Sequence, residues 1–104
     1  MNIFKKLKAK LRYRAAKQMA DKEHLLTGNR YYILPMQGKG KKLLVVNRYN
    51  FRKLKLKHYL PEGLFIRDLE AACYYCTPYA DGSKSLNETE IAAKYRRYLN
   101  WFAD

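Results

Sequence analysis

Acids are nearly missing from the first 60 residues. Asp21 and Glu23 stand alone there against 17 Lys/Arg, whereas residues 61–104 hold seven acids and five Lys/Arg. Such a split opposes compaction by self-repulsion. No fold requires it, and it points to a polyanionic partner for the N-terminal half. Cysteine is scarce as well: Cys73 and Cys76 alone cannot build the disulfide framework of a small secreted domain. No uncharged run approaches the roughly 20 apolar residues that cross a bilayer, and the first residues lack the apolar stretch of a secretory signal. These absences point to an intracellular protein with reduced thiols, cytoplasmic or within a virion. Histidine is limited to His24 and His58, which leaves little acid–base capacity. No later histidine completes a triad with the acids of the second half. The expectation is a protein that is not an enzyme and needs no cofactor.

The chain is nonetheless no disordered basic tail. Nearly half of its 104 residues are apolar, and ten are tyrosines, whose rings suit both cores and interfaces. The length fits one domain with one modest core rather than two.

Residues 2–27 read as one helix. Phe4, Leu7, Leu11, Ala15, Met19 and Leu26 recur at helical spacings as a thin apolar stripe, and Gly28 is a natural stop. Residues 1–28 are accordingly read as a basic helical arm that docks on a partner, and residues 29–104 as a compact domain. Residues 30–36 and 42–46 read as strands joined by the glycine-rich segment 37–41, a β-hairpin. Pro35 removes a backbone donor, which argues for an edge or a bulge near the turn.

Asn47 can cap a helix over residues 48–58, with Phe51 and Leu54 inward. The alternation at residues 53–57 also fits a strand, but Asn47 and the stop at residues 60–63 favour the helix. Residues 64–66 read as a third strand, 67–76 as a helix carrying Leu69, Ala72, Cys73 and Cys76 on one face, and 77–84 as a loop. Ser85 and Glu88 form a capping-box pair for a last helix over residues 86–102, whose face is Ile91, Tyr95, Tyr98, Leu99 and Phe102. The expected fold is a small single α+β domain: a two- or three-stranded antiparallel hairpin sheet packed with helices, with the long basic helix at the N-terminus.

Five constellations could carry function. Lys5, Lys6, Lys8, Lys10, Arg12 and Arg14 lie on the first helix with no acid to pair with. They suit phosphates, each of which releases counterions when neutralised. A solvated face and a membrane-surface helix are the alternatives, the latter lacking a broad apolar face. Lys39, Lys41 and Lys42 stand at the hairpin, in a glycine segment that lacks the spacing of a phosphate-binding P-loop. Arg48, Arg52, Lys53, Lys55 and Lys57 make a further stripe. Cations also alternate with aromatics at residues 12–14, 30–32, 48–52 and 95–98, as stacking on bases requires, although stacks internal to the protein look the same.

Cys73 and Cys76 could supply half of a zinc site, but His24 and His58 are too far apart in sequence for a zinc finger. Two buried thiols at helical spacing are the plainer reading. No zinc-finger, RNA-recognition, KH or basic-zipper signature occurs.

These features together suggest a structural component of a nucleoprotein assembly, a phage-particle accessory protein or a ribosome-associated subunit. Its basic half would meet nucleic-acid backbone or an acidic protein surface, and its tyrosine-rich half would meet other subunits. A sequence-reading DNA regulator and a peripheral membrane protein are the alternatives.

Overall fold

The structure, a computed structural model, describes all 104 residues. It is an α+β domain built in three layers. The elements run α1 (Ile3–Thr27), β1 (Tyr32–Pro35), β2 (Leu43–Val46), α2 (Arg48–Leu56), a single 3-10 turn (Ile66–Asp68), α3 (Leu69–Ala72), β3 (Tyr75–Cys76) and α4 (Glu88–Ala103). The antiparallel sheet has the order β2-β1-β3. Successive residues of a strand point to opposite faces, and here both faces are covered. Tyr31, Ile33 and Tyr75 pack with Ala9, Tyr13 and Ala20 of α1 and Tyr98 and Phe102 of α4. Tyr32, Leu34, Val46 and Cys76 pack on the other face with Phe51 of α2, Leu60, and Leu69 and Cys73 of the α3 segment. The expected single core is therefore divided by the sheet, and the central strand reads as a continuous apolar run because it is buried on both sides.

The hairpin forms in the expected place. Tyr32 pairs with Val46 and Pro35 with Leu43. Pro35 is tolerated at the end of a central strand because the third strand reaches only Tyr32 and Ile33, so no neighbour needs the missing N–H there. Asn47 caps α2 by accepting from the N–H groups of Tyr49 and Asn50, and the Asn50 side chain returns a bond to the Asn47 N–H.

Three expectations are corrected. The third strand is not residues 64–66, which lead into the 3-10 turn, but Tyr75–Cys76. The helix expected over 67–76 stops at Ala72, because Tyr74 and Thr77 donate their N–H groups to Ile33 O and Tyr31 O at 2.8 and 3.0 Å. Lys94 and Arg97 of α4 then take up the freed helix-end carbonyls: Lys94 Nζ donates to Glu70 O and Cys73 O, and Arg97 Nη2 to Ala71 O and Cys73 O. The cap of the last helix is Asn87 paired with Glu90, two residues beyond the Ser85–Glu88 pair.

The long helix does not stand away from the domain. Ala9, Tyr13, Ala16 and Ala20 recur at spacings of four, three and four, and this is the face that packs. Its small side chains let α1 lie close to the sheet, and the Tyr98 hydroxyl donates to Ala9 O at 2.7 Å to fix its register. The stripe read from the sequence lies on the opposite side. Phe4 is 81% exposed, Leu7 and Leu11 are 53% exposed, and Met19 and Leu26 are exposed too.

Candidate nucleic-acid interface

Which cations hold the fold together, and which are left over, follows from what each one touches. Of the 14 residues expected to meet a polyanion, four are engaged within the chain. Lys5 Nζ donates to Ala103 O at 3.3 Å. Arg12 donates to Gly40 O and Lys41 O and lies over the Phe102 ring. Lys41 sits over Trp101 at 4.9 Å. Lys55 donates to Leu64 O at 2.7 Å and caps the Phe65 ring at 4.1 Å. The other ten (Lys6, Lys8, Lys10, Arg14, Lys39, Lys42, Arg48, Arg52, Lys53 and Lys57) are exposed. None of their side chains donates a hydrogen bond or reaches a carboxylate. The three ion pairs of the chain are Lys17–Asp21, Arg30–Glu70 and Arg67–Asp68.

The leftover cations form two groups. Arg12 ties the hairpin tip, which carries Lys39 and Lys42, to α1, whose exposed surface carries Lys6, Lys8, Lys10 and Arg14. On the 100° helical period Lys8, Lys10 and Arg14 fall beside Phe4, Leu7 and Leu11, which makes that surface an apolar stripe rimmed by cations. The second group, on α2, lies on the other face of the sheet. There Arg48 and Arg52 are one turn apart, Lys53 and Lys57 continue the helix surface, and Tyr49 between them is 82% exposed.

The aromatic–basic alternation separates in the same way. Tyr13, Tyr31, Tyr32, Tyr74, Tyr75 and Tyr98 are all buried. Tyr98 contacts the rings of Tyr13, Tyr74, Tyr95, Trp101 and Phe102 at 5.1–6.1 Å. The tyrosines expected to face other subunits are thus mostly core. Only the segment at residues 48–52 keeps a bare ring beside unengaged cations. Sequence reasoning missed Arg30, Lys94 and Arg97 as structural cations. Arg30 is buried, with Nε on Thr77 O at 2.8 Å and Nη1 on Glu70 Oε2 at 3.1 Å. No local signal marks a cation whose acceptors lie 21–54 residues away.

Cys73 and Cys76 are both buried, on the end of α3 and on β3. Arg30 Nη2 lies 3.3 Å from Cys76 Sγ. The hydrogen bond between the two thiols, aided by the Lys94 charge and opposed by burial, pulls Cys73 down from its ordinary value to about 7. The same bond, together with burial, pushes Cys76 up. Cys73 Sγ also donates to Glu70 O at 3.4 Å. No three His, Cys, Asp or Glu side chains converge as a metal site, and His24 instead bonds Asn29 O through Nδ1 at 2.8 Å.

No helix is long and apolar enough to cross a membrane. No protein-family model, curated protein or solved structure matches this chain.

Proposed function

We propose that the chain is a non-enzymatic binding component of a large nucleoprotein assembly, such as a phage particle or a ribosome-associated complex. Two surfaces on opposite layers would serve two kinds of neighbour. The observation that carries this reading is the distribution of unengaged charge: among the 17 Lys/Arg of residues 1–60, only Lys17 and Arg30 reach a carboxylate. The α2 group (Arg48, Arg52, Lys53, Lys57) meets nucleic-acid backbone. Its cations stand on one short helix without carboxylate partners, around the exposed Tyr49 and Leu56 side chains, and such unpaired charge suits sequence-independent phosphate contact.

A separate observation favours a protein neighbour for the other surface. Phe4, Leu7 and Leu11 on α1 are large, exposed and rimmed by lysines, the pattern of a helix whose apolar anchors enter a groove with acidic edges. Self-association through that surface is opposed by a net charge of +13. The partner chemistry is therefore an acidic, apolar-floored protein surface.

The nucleic-acid reading is tested by binding labelled random-sequence DNA and RNA across a salt series. Binding through several phosphates gives a log–log slope of roughly −0.7 to −0.9 per phosphate, alike for unrelated sequences. A flat slope, or a preference of about a thousandfold or more for one particular sequence, overturns it.

A further inference from the structure

Between the end of α1, the outer side of α2 and the loop at residues 79–83 lies an open cleft of about 900 Å³. Its floor is rigid. The Arg30 guanidinium, held by Thr77 O, Glu70 and Lys84 O, stacks on the Tyr79 ring at 4.5 Å. Tyr79 is 38% exposed and keeps part of its ring toward the opening. The Arg30 charge is already met by Glu70 at 3.1 Å, so Arg30 positions the ring rather than binding an anion.

The wall contributed by α2 is different. Arg48 and Arg52 line it one helical turn apart with no acceptor, and the bare Tyr49 ring lies beside them. Across the cleft Asp81 presents a carboxylate anchored by the Ser83 N–H at 2.9 Å. The bond to Ser83 lowers the Asp81 carboxyl below its ordinary value, so it is a charged acceptor at neutral pH.

One side of the cleft thus attracts phosphate. The other repels it while offering a ring face and an acceptor, and this polarity matches a single nucleotide. We infer that the cleft seats one unstacked nucleotide of a single strand: its phosphate on Arg48 and Arg52, its base on Tyr79 and Tyr49, and an exocyclic amino group of that base on Asp81. Aromatic stacking requires a base freed from a duplex. A carboxylate accepts from the amino group of cytosine, or likewise adenine, and finds no donor of that kind on uracil. This inference rests on the nucleic-acid reading above and adds strand type and base preference to it.

The test is titration of the full chain with labelled 12-nucleotide oligo(C), oligo(A) and oligo(U), with a 12-base-pair duplex, and with cytidine monophosphate as competitor. Single strands are expected to bind about tenfold tighter than duplex, with C and A ahead of U. Tyr79→Leu lowers single-strand affinity about tenfold, within the range expected for loss of one stacked base. Tyr49→Ser, at an exposed position that cannot upset folding, lowers it several-fold. Asp81→Asn brings C and U together. Arg48→Gln with Arg52→Gln weakens all three homopolymers alike.

Salt-dependent binding that is equal for single strand and duplex, and untouched by Tyr79→Leu and Tyr49→Ser, overturns the cleft site while leaving the backbone reading in place. Absence of binding to any nucleic acid overturns both. Cytidine monophosphate binding tighter than oligo(C) also overturns the proposal, because the cleft would then be a site for free nucleotides.

Discussion

The two faces of the sheet are built from different chemistry. Beneath α1 and α4 the packing is aromatic, and every buried hydroxyl has an address. Tyr13 donates to Tyr74 O at 2.9 Å, Tyr98 to Ala9 O at 2.7 Å and Tyr75 to Asp21 Oδ1 at 2.6 Å, while Tyr31 meets Thr27 and Asn47. Beneath α2 and α3 the packing is mostly aliphatic: Leu34, Val46, Leu60 and Leu69 around Phe51 and the two thiols. Apolar burial is non-directional, whereas a ring with a bonded hydroxyl accepts only one placement. The long helix, which could slide along the sheet by a turn, is the one pinned by hydroxyls. The nine-residue α2 is placed by its cap and its short connection to β2. Specificity is concentrated where the chain has most freedom to be misplaced.

The largest effects should come from emptying either face. Tyr98→Ala is expected to cost about 3–5 kcal/mol and Leu69→Ala about 2–5 kcal/mol in denaturant unfolding. Tyr98→Phe sharpens the contrast, because it keeps the ring and removes only the bond to Ala9 O, at a cost of about 1 kcal/mol. Equal stability of Tyr98→Phe and the parent would mean that the hydroxyl does not fix α1.

Next in size is a test of which side of α1 packs. Ala20→Leu, at a fully buried position, should destabilise by about 1–3 kcal/mol through overpacking. Leu11→Ala should stay within about 0.5 kcal/mol. The reverse order would restore the stripe read from the sequence as the buried face.

That stripe shows where legibility ended. Both strands of the hairpin, α2 with its Asn47 cap and the extent of α4 were readable, because each depends on signals within a few residues. The buried face of α1 was not. Its small alanines and one tyrosine are outweighed in any hydrophobicity count by Phe4, Leu7 and Leu11, which the domain leaves bare. β3 was unreadable for another reason: two residues carry no periodicity, and only pairing with a strand some 40 residues earlier makes Tyr75–Cys76 extended. Lys94 broke the pattern of α4 by entering its buried side to reach Glu70 O and Cys73 O. Among the candidate site residues, the charge imbalance was plain in the sequence. Its division into structural and unengaged cations depends on contacts such as Arg12 with the hairpin tip, which composition does not encode.

Two smaller predictions concern the aliphatic layer. His58 ends α2 in the left-handed region at φ 61°, where Tyr59 N–H returns to Leu54 O. Glycine adopts that conformation without strain, so His58→Gly should stabilise by about 1 kcal/mol, read as a rise in the denaturant midpoint. The thiol pair makes this layer pH-sensitive. Cys73 titrates near 7 in the fold against its ordinary value of 9.0, so the folded state releases that proton first. The resulting stability is present above pH 9 and is lost as pH falls through 7. Under reducing conditions stability should therefore rise modestly between pH 7 and 9, and Cys73→Ala should flatten the rise. An unchanged slope in that variant would assign the dependence elsewhere.

The division of the unengaged cations between two layers is tested most directly by comparing two charge-neutralised variants in one salt series with a single-stranded oligonucleotide. One variant carries Arg48→Gln, Arg52→Gln, Lys53→Gln and Lys57→Gln. The other carries Lys6→Gln, Lys8→Gln, Lys10→Gln and Arg14→Gln. The α2 variant is expected to lose roughly three units of log–log slope, at about 0.7 per phosphate on a single strand, and the α1 variant less than one. Equal losses, or a larger loss from α1, would contradict the assignment of nucleic acid to the α2 layer and of a protein neighbour to α1.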